Sequence, residues 1–175
     1  MILLIELDDE TVQGIKEKTF YIAEDYEKEL KKNKAISCEL PDGTVVQIGN
    51  EAFECPEALF NPEILDINNL AIHRTLFNSI KKCDMDIRRD LYENIVMTGG
   101  NTMIKGLPDR LRAEMNKLVP GSVRVNIKDD SNRNYLTWIG GSILGSLTNY
   151  KNMWIHKDEY NEYGPNIVHS KLKKI

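Results

Sequence analysis

The residues best suited to chemistry are Thr98-Gly99-Gly100-Asn101-Thr102, which follow the apolar run Ile95-Val96-Met97. Two glycines therefore stand at the carboxyl end of a predicted buried strand. Backbone without side chains lets a ligand approach closely, and in open α/β sheets ligands bind beyond the carboxyl ends of strands. Amides entering a following helix suit an anion or a nucleotide. A glycine pair also makes an ordinary tight turn, and spacing alone favours that plainer reading. Lys16-Glu17 is a second candidate, although adjacent opposite charges read by themselves as a solvated helix face. The third is Trp138-Ile139-Gly140-Gly141-Ser142-Ile143-Leu144. Two glycines inside a helix cost about 1 kcal/mol each relative to alanine, a loss that close packing or a partner surface would offset. Ile143, Leu144 and Leu147 form an apolar edge that suits either a partner helix or the protein's own core.

Other chemistries find no footing. His73, His156 and His169 lack metal-ligand spacing and a companion nucleophile. Cys38, Cys55 and Cys83 are odd in number and form no CxxC pair, which argues against a zinc site or a disulfide framework and for free thiols in the cytosol or nucleus. No Ser-His-Asp order, P-loop or distinctive carboxylate pair is present. The residues alone assign no reaction. Lys plus Arg number 23 against 27 Asp plus Glu, so no global charge draws the chain to nucleic acid or an anionic membrane. The cluster Lys171, Lys173 and Lys174 reads as a solvated terminus. No apolar run approaches the ~20 residues that span a bilayer, and the greasy start Met1-Ile2-Leu3-Leu4-Ile5 lacks the layout of a signal peptide.

The elements that must position these residues follow from periodicity. Val12, Ile15, Thr19, Ile22, Ala23, Tyr26 and Leu30 predict one amphipathic helix, or two in succession, over 9–32. Runs at 36–40 and 45–48 flank Pro41-Asp42-Gly43-Thr44, a hairpin signal. An irregular stretch around Leu59-Phe60 lies between Pro56 and Pro62, and 61–69 has no period. Helices are predicted over 71–83, 86–92 and 107–118, and strands over 94–98 and 123–127, giving strand, glycine turn, helix, strand, as in a βαβ unit. A helix over 135–147 interrupted at Gly140-Gly141 and a short one over 157–163 complete the chain.

Read together, these segments resemble the carboxyl-terminal part of actin. The resemblance rests on Ile15-Lys16-Glu17-Lys18, Glu39-Leu40-Pro41-Asp42-Gly43, Cys55-Pro56-Glu57-Ala58-Leu59-Phe60, Phe77-Asn78-Ser79-Ile80 and Asp90-Leu91-Tyr92. Its most specific parts are Trp138-Ile139-Gly140-Gly141-Ser142-Ile143-Leu144, Met153-Trp154-Ile155 and Gly164-Pro165-Asn166-Ile167-Val168-His169. All stand in the family's order over about 10–171. The implied fold class is α/β, the carboxyl-terminal portion of the ATPase fold that actin shares with sugar kinases and heat-shock chaperones, with incomplete sheets. The implied division is 1–70, the remainder of an outer nucleotide-side subdomain; 71–134, an inner subdomain carrying the glycine turn; and 135–175, carboxyl-terminal helices of the other large subdomain.

The resemblance implies an actin-like cytoskeletal protein that supplies one wall of an ATP or ADP cleft, with a divalent cation held only through the nucleotide. Lys16 and Glu17 would lie beside adenine and ribose, while Gly99, Gly100, Asn101, Met103 and Ile104 would pass under the nucleotide. Asn101, Ile104 and Asn134 depart from the threonine, aromatic and lysine of the family, and loss of that lysine weakens the case for binding an anion. The phosphate loops and the residues that place water and cation have no counterpart in this sequence, so no ATP hydrolysis is expected of the chain alone. Ile143, Leu144, Leu147 and Met153 match the apolar cleft where actin-binding proteins insert a helix. The implied partners are actin-like subunits in a filament and actin-binding proteins, with no nucleic acid or membrane, in the cytoplasm and cytoskeleton or in the nucleus. The alternatives are a non-catalytic scaffold module and a subunit of an actin-related-protein complex. Two-stranded remnants of larger sheets also predict poor solubility.

Overall fold

A computed structural model describes residues 8–32 and 34–172. The start at 1–5, Asn33 and the tail lysines Lys173 and Lys174 lie outside the described residues. Helix α1 (Asp9–Thr19) begins where the Asp8 carboxylate accepts the Thr11 N–H at 2.7 Å, and it buries Ile15 and Thr19. The long periodic face resolves into two helices. Tyr21 leaves the helical path to bridge Lys105 in parallel, and the Ile22 N–H donates to the Lys105 carbonyl at 2.8 Å. Asp25 then caps α2 (Tyr26–Leu30) by accepting the Lys28 N–H.

Strands β1 (Ile36–Glu39) and β2 (Val45–Ile48) form the predicted antiparallel hairpin, with Ile36 opposite Ile48 and Cys38 opposite Val46. Gly43 takes φ +83° in the turn, and the Asp42 carboxylate accepts both the N–H and the hydroxyl of Thr44 at 2.9 Å. Helix α3 (Glu51–Glu57) occupies a stretch in which no helix is expected from sequence. Cys38, Leu40 and Ile48 close a small core with Ile15 and Ala52.

The larger core sits where α4 (Ile72–Lys81), α5 (Met85–Glu93) and α6 (Leu107–Leu118) pack around two short strands. Those strands, β3 (Ile95–Val96) and β4 (Ile127–Lys128), pair in parallel, Ile95 with Ile127 and Val96 with Lys128. Of the strand predicted at 123–127, only Ile127 pairs, although Val125 is buried in the same core. Met115, fully buried on α6, packs with Leu111, Tyr92 and Met97. Ile22 and Phe60 join this core from the amino-terminal half, so it draws on both sides of residue 70.

An ionic junction holds the two cores together. The Arg110 guanidinium on α6 grips the Glu57 carboxylate with two bonds, at 3.0 and 3.1 Å. It also donates to the Ala23 carbonyl at 2.6 Å and to Glu114 at 2.8 Å, and lies 5.0 Å from the centroid of the Phe60 ring. Glu57 is only 3% exposed, so this is a nearly desolvated pair. Burial opposes the Arg110 charge, but the hydrogen bonds to Glu114 and Glu57 outweigh it and raise its pKa. His73 on α4 stacks on the Phe60 ring with centroids 5.8 Å apart, and among the described residues its buried Nδ1 has no hydrogen-bond partner.

Helix α7 (Leu136–Ser146) runs unbroken through Gly140 and Gly141, where an interruption is expected from sequence. The i→i−4 ladder tolerates glycine at an entropic cost and does not require a break. A 3-10 turn (Thr148–Met153), α8 (Lys157–Tyr163) and α9 (Ile167–Leu172) follow, tied by Lys171, which reaches Glu159 at 2.8 Å and the Trp154 carbonyl at 3.1 Å. Among the described residues from 135 onward whose side chains are placed, only Ile167 is buried.

Two substitutions test this packing. Gly106 has φ +84°, and a Cβ there would lie 2.6 Å from the Ile22 carbonyl oxygen. Gly106→Ala should therefore cost about 2 kcal/mol or more, seen as a lower urea midpoint, whereas Gly121→Ala, which meets no atom within 4 Å, should leave the midpoint nearly unchanged. Burial lowers the His73 pKa from its ordinary value; the Glu114 charge opposes this, while Arg74, Arg110 and Lys117 add to it. Stability linked to His73 is then complete above about pH 6.5 and declines as pH falls toward the depressed folded value, because the unfolded chain takes up the proton first. His73→Phe should flatten the dependence of the urea midpoint on pH below about 6.5; an unaltered slope would place the acid sensitivity elsewhere.

Candidate functional site

The glycine turn is a backbone structure fixed from two sides. Gly99 adopts φ 97° and ψ 156°, a conformation open to glycine and hostile to other residues. Its N–H donates to the Arg133 carbonyl at 2.9 Å, and the Thr98 hydroxyl donates to the same oxygen at 3.1 Å. Thr102 closes the turn from within, its N–H and hydroxyl both donating to the Gly99 carbonyl, at 3.0 and 2.7 Å. The Thr98 and Thr137 hydroxyls lie 3.4 Å apart, which brings the start of α7 against the turn.

Gly100, Asn101 and Met103 are exposed, while Ile104 turns inward and packs on the larger core. A Cβ at Gly99 or Gly100 would meet no atom within 4 Å, so the turn faces open space. Its amides do not run directly into the following long helix as the sequence suggests. They enter a single 3-10 turn (Gly100–Met103), and α6 starts separately, after Gly106.

Arg133 is the functional candidate that sequence reasoning misses. Its Nε and Nη2 both donate to the Thr102 carbonyl at 3.1 Å, and Nη1 donates to the carbonyls of Asp129 and Asp130 at 3.3 and 3.1 Å. Its carbonyl and its guanidinium thus hold opposite ends of the glycine turn. The run Asp129-Asp130-Ser131-Asn132-Arg133-Asn134 gives little warning, because a lone cation in a polar stretch reads as a solvated loop.

Lys16 and Glu17 are exposed near the end of α1. Glu17 accepts a hydrogen bond from Gln13 at 2.9 Å, and among the described residues Lys16 makes no ion pair. The pairing of Tyr21 with Lys105 brings the chain leaving α1 alongside the chain leaving the turn. No hydrogen bond among the described residues joins Lys16 or Glu17 to the turn itself. An open cleft of about 340 Å³ between α1 and the hairpin, lined by Gly14, Ile15, Cys38 and Leu40 among others, includes no residue of the turn.

Ile143 and Leu144 lie on α7 and Leu147 at its end; they are 57%, 47% and 49% exposed, and Met153 is half-buried at the end of the next 3-10 turn. Ile143 and Leu147, four residues apart, share a face. Among the described residues no group of three or more His, Cys, Asp or Glu side chains could hold a metal ion.

The family model described as Actin matches residues 6–173. That span takes in both cores, the glycine turn, the exposed α7 and the ordered string of motifs from Ile15 to His169. The chain belongs to the actin family.

Proposed function

We propose that this actin-like protein contributes one wall of an adenine-nucleotide cleft. The observation that carries the reading is the glycine turn, open to solvent on its ligand side yet held rigidly from behind by Arg133. Such a turn offers backbone at close range and leaves its geometry unchanged when a ligand arrives, which lowers the ordering cost of binding. The residues present suit the nucleoside better than the phosphates. Lys16 and Glu17 offer a solvated cation and a hydrogen-bond acceptor for base and ribose, and Met103 offers apolar surface. Asn134 supplies no charge beside the turn, and the Arg133 guanidinium is already committed to carbonyl oxygens. A divalent cation would come with the nucleotide. The setting consistent with this reading is the cytoplasm and cytoskeleton, with filament formation among actin-like subunits.

Gly100→Val tests the wall directly. The new side chain enters open space, so thermal stability should stay near that of the parent, while affinity for a fluorescent ATP analogue should fall about tenfold or more, a loss of at least about 1.4 kcal/mol. Equal affinity in the variant would remove the turn from the nucleotide site.

A second reading is favoured by α7, whose apolar side chains lie open. Ile143, Leu144 and Leu147 form an exposed apolar edge, and Trp138, 73% exposed, stands on another side of the helix. A face of this kind fits the apolar side of an amphipathic partner helix, and the protein would then act as a scaffold or binding module. Ile143→Asp should leave stability within about 0.5 kcal/mol, as for other exposed positions, yet abolish capture of an amphipathic helical peptide in a fluorescence-anisotropy titration. Nucleotide-dependent pelleting supports the first reading, whereas peptide capture indifferent to nucleotide supports the second.

A further inference from the structure

We propose that Arg133 is the positioning residue of the glycine turn, acting through backbone carbonyls and not as a phosphate-binding cation. This deepens the cleft-wall reading and rests on it for its functional meaning, but the clasp itself can be measured without any ligand.

The geometry separates these two roles. A guanidinium carries five N–H donors in a fixed planar fork. Four hydrogen bonds from Arg133 run to protein carbonyls: two to Thr102, one to Asp129 and one to Asp130. Its own carbonyl takes the Gly99 N–H and the Thr98 hydroxyl. Thr98 and Gly99 at the entry of the turn and Thr102 near its exit are thereby fixed to one residue more than thirty positions downstream, at sequence separations of 35 and 31. The positive-φ conformation of Gly99, which glycine alone adopts readily, is kept in place by this double attachment. With its fork so engaged, Arg133 has little capacity to reach an anion lying on the far side of the turn. The missing positive charge at Asn134 is therefore not replaced from the neighbouring position.

Charge and fork geometry can be pulled apart by substitution. Arg133→Lys keeps the charge but cannot make four directed bonds, and Arg133→Ala removes both. The readout is amide hydrogen exchange at Gly99 and Thr102 in the ligand-free protein, with Met115 in the core of α6 as an internal reference. Both variants should speed exchange at Gly99 and Thr102 about tenfold or more while leaving Met115 protected. Thr98→Val, which removes the hydroxyl bond to the Arg133 carbonyl together with the contact to the Thr137 hydroxyl, should speed Gly99 exchange by a smaller factor. Wild-type protection in Arg133→Ala, or protection retained in Arg133→Lys, overturns the proposal; the second outcome would make Arg133 a simple cation. If Met115 also loses protection, the Thr98→Val protein, which lacks only one hydroxyl, decides: unchanged Gly99 exchange there overturns the clasp. Titration with the fluorescent ATP analogue then gives the functional half. Where the clasp is real and the turn is the wall, both Arg133 variants bind more weakly by similar factors. Absence of saturable binding by the parent protein defeats the nucleotide reading while the exchange result still stands.

Discussion

The ionic junction at Arg110 is the contact on which the arrangement of the chain depends. The hairpin and α1 build a small core, and the helices around β3 and β4 build a larger one. Ile22 and Phe60 carry apolar packing across the boundary between them. The guanidinium spans that boundary by gripping Glu57 at the end of α3, the Ala23 carbonyl between α1 and α2, and Glu114 on its own helix. A charge pair this buried contributes little net stability when complete, since desolvation offsets most of its attraction. Its importance is directional. Removing one partner strands the other without water, at a cost of about 3–5 kcal/mol. The junction therefore acts as a specification of how α3 and α6 meet, reinforced by the Phe60 ring beside Arg110 and His73.

The path from α1 to the glycine turn follows from this fixed meeting. With Ala23 held by Arg110, the preceding Tyr21 and Ile22 run beside Lys105, and Gly106 must lack a side chain for the Ile22 carbonyl to come so close. The chain leaving α1 and the chain leaving the glycine turn are thus paired through Tyr21 and Lys105, while among the described residues no hydrogen bond joins Lys16 or Glu17 to the turn.

Much of the fold was legible because its signals are local. The hairpin was announced by Pro41-Asp42-Gly43, and α4 and α6 by apolar residues three and four apart. Helix α3 was hidden by Pro56, which reads as a breaker but sits near the end of a short helix, and Gly140-Gly141 suggested a break that intact helical hydrogen bonding does not need. The strands shrank to two residues each because a ladder with one partner has little to hold it beyond the points where Ile95 and Ile127 enter the core. The glycine turn stood out as a motif, but its clasp did not. Arg133 acts on carbonyl oxygens, which every residue has, so no pairing of residue types records the contact. The Arg110–Glu57 pair was equally silent, because a separation of 53 positions follows no period.

The long return from Thr98 to Arg133 also bears on the order in which the molecule matures. Closing a loop of this length costs entropy that only the intervening elements repay, so α6 and the β3–β4 pairing must largely exist before the clasp can close. During synthesis the turn emerges well ahead of the residue that shapes it. The nascent chain thus carries a loose glycine loop on a nearly finished core, and its final form is acquired only when the segment after β4 folds back upon it.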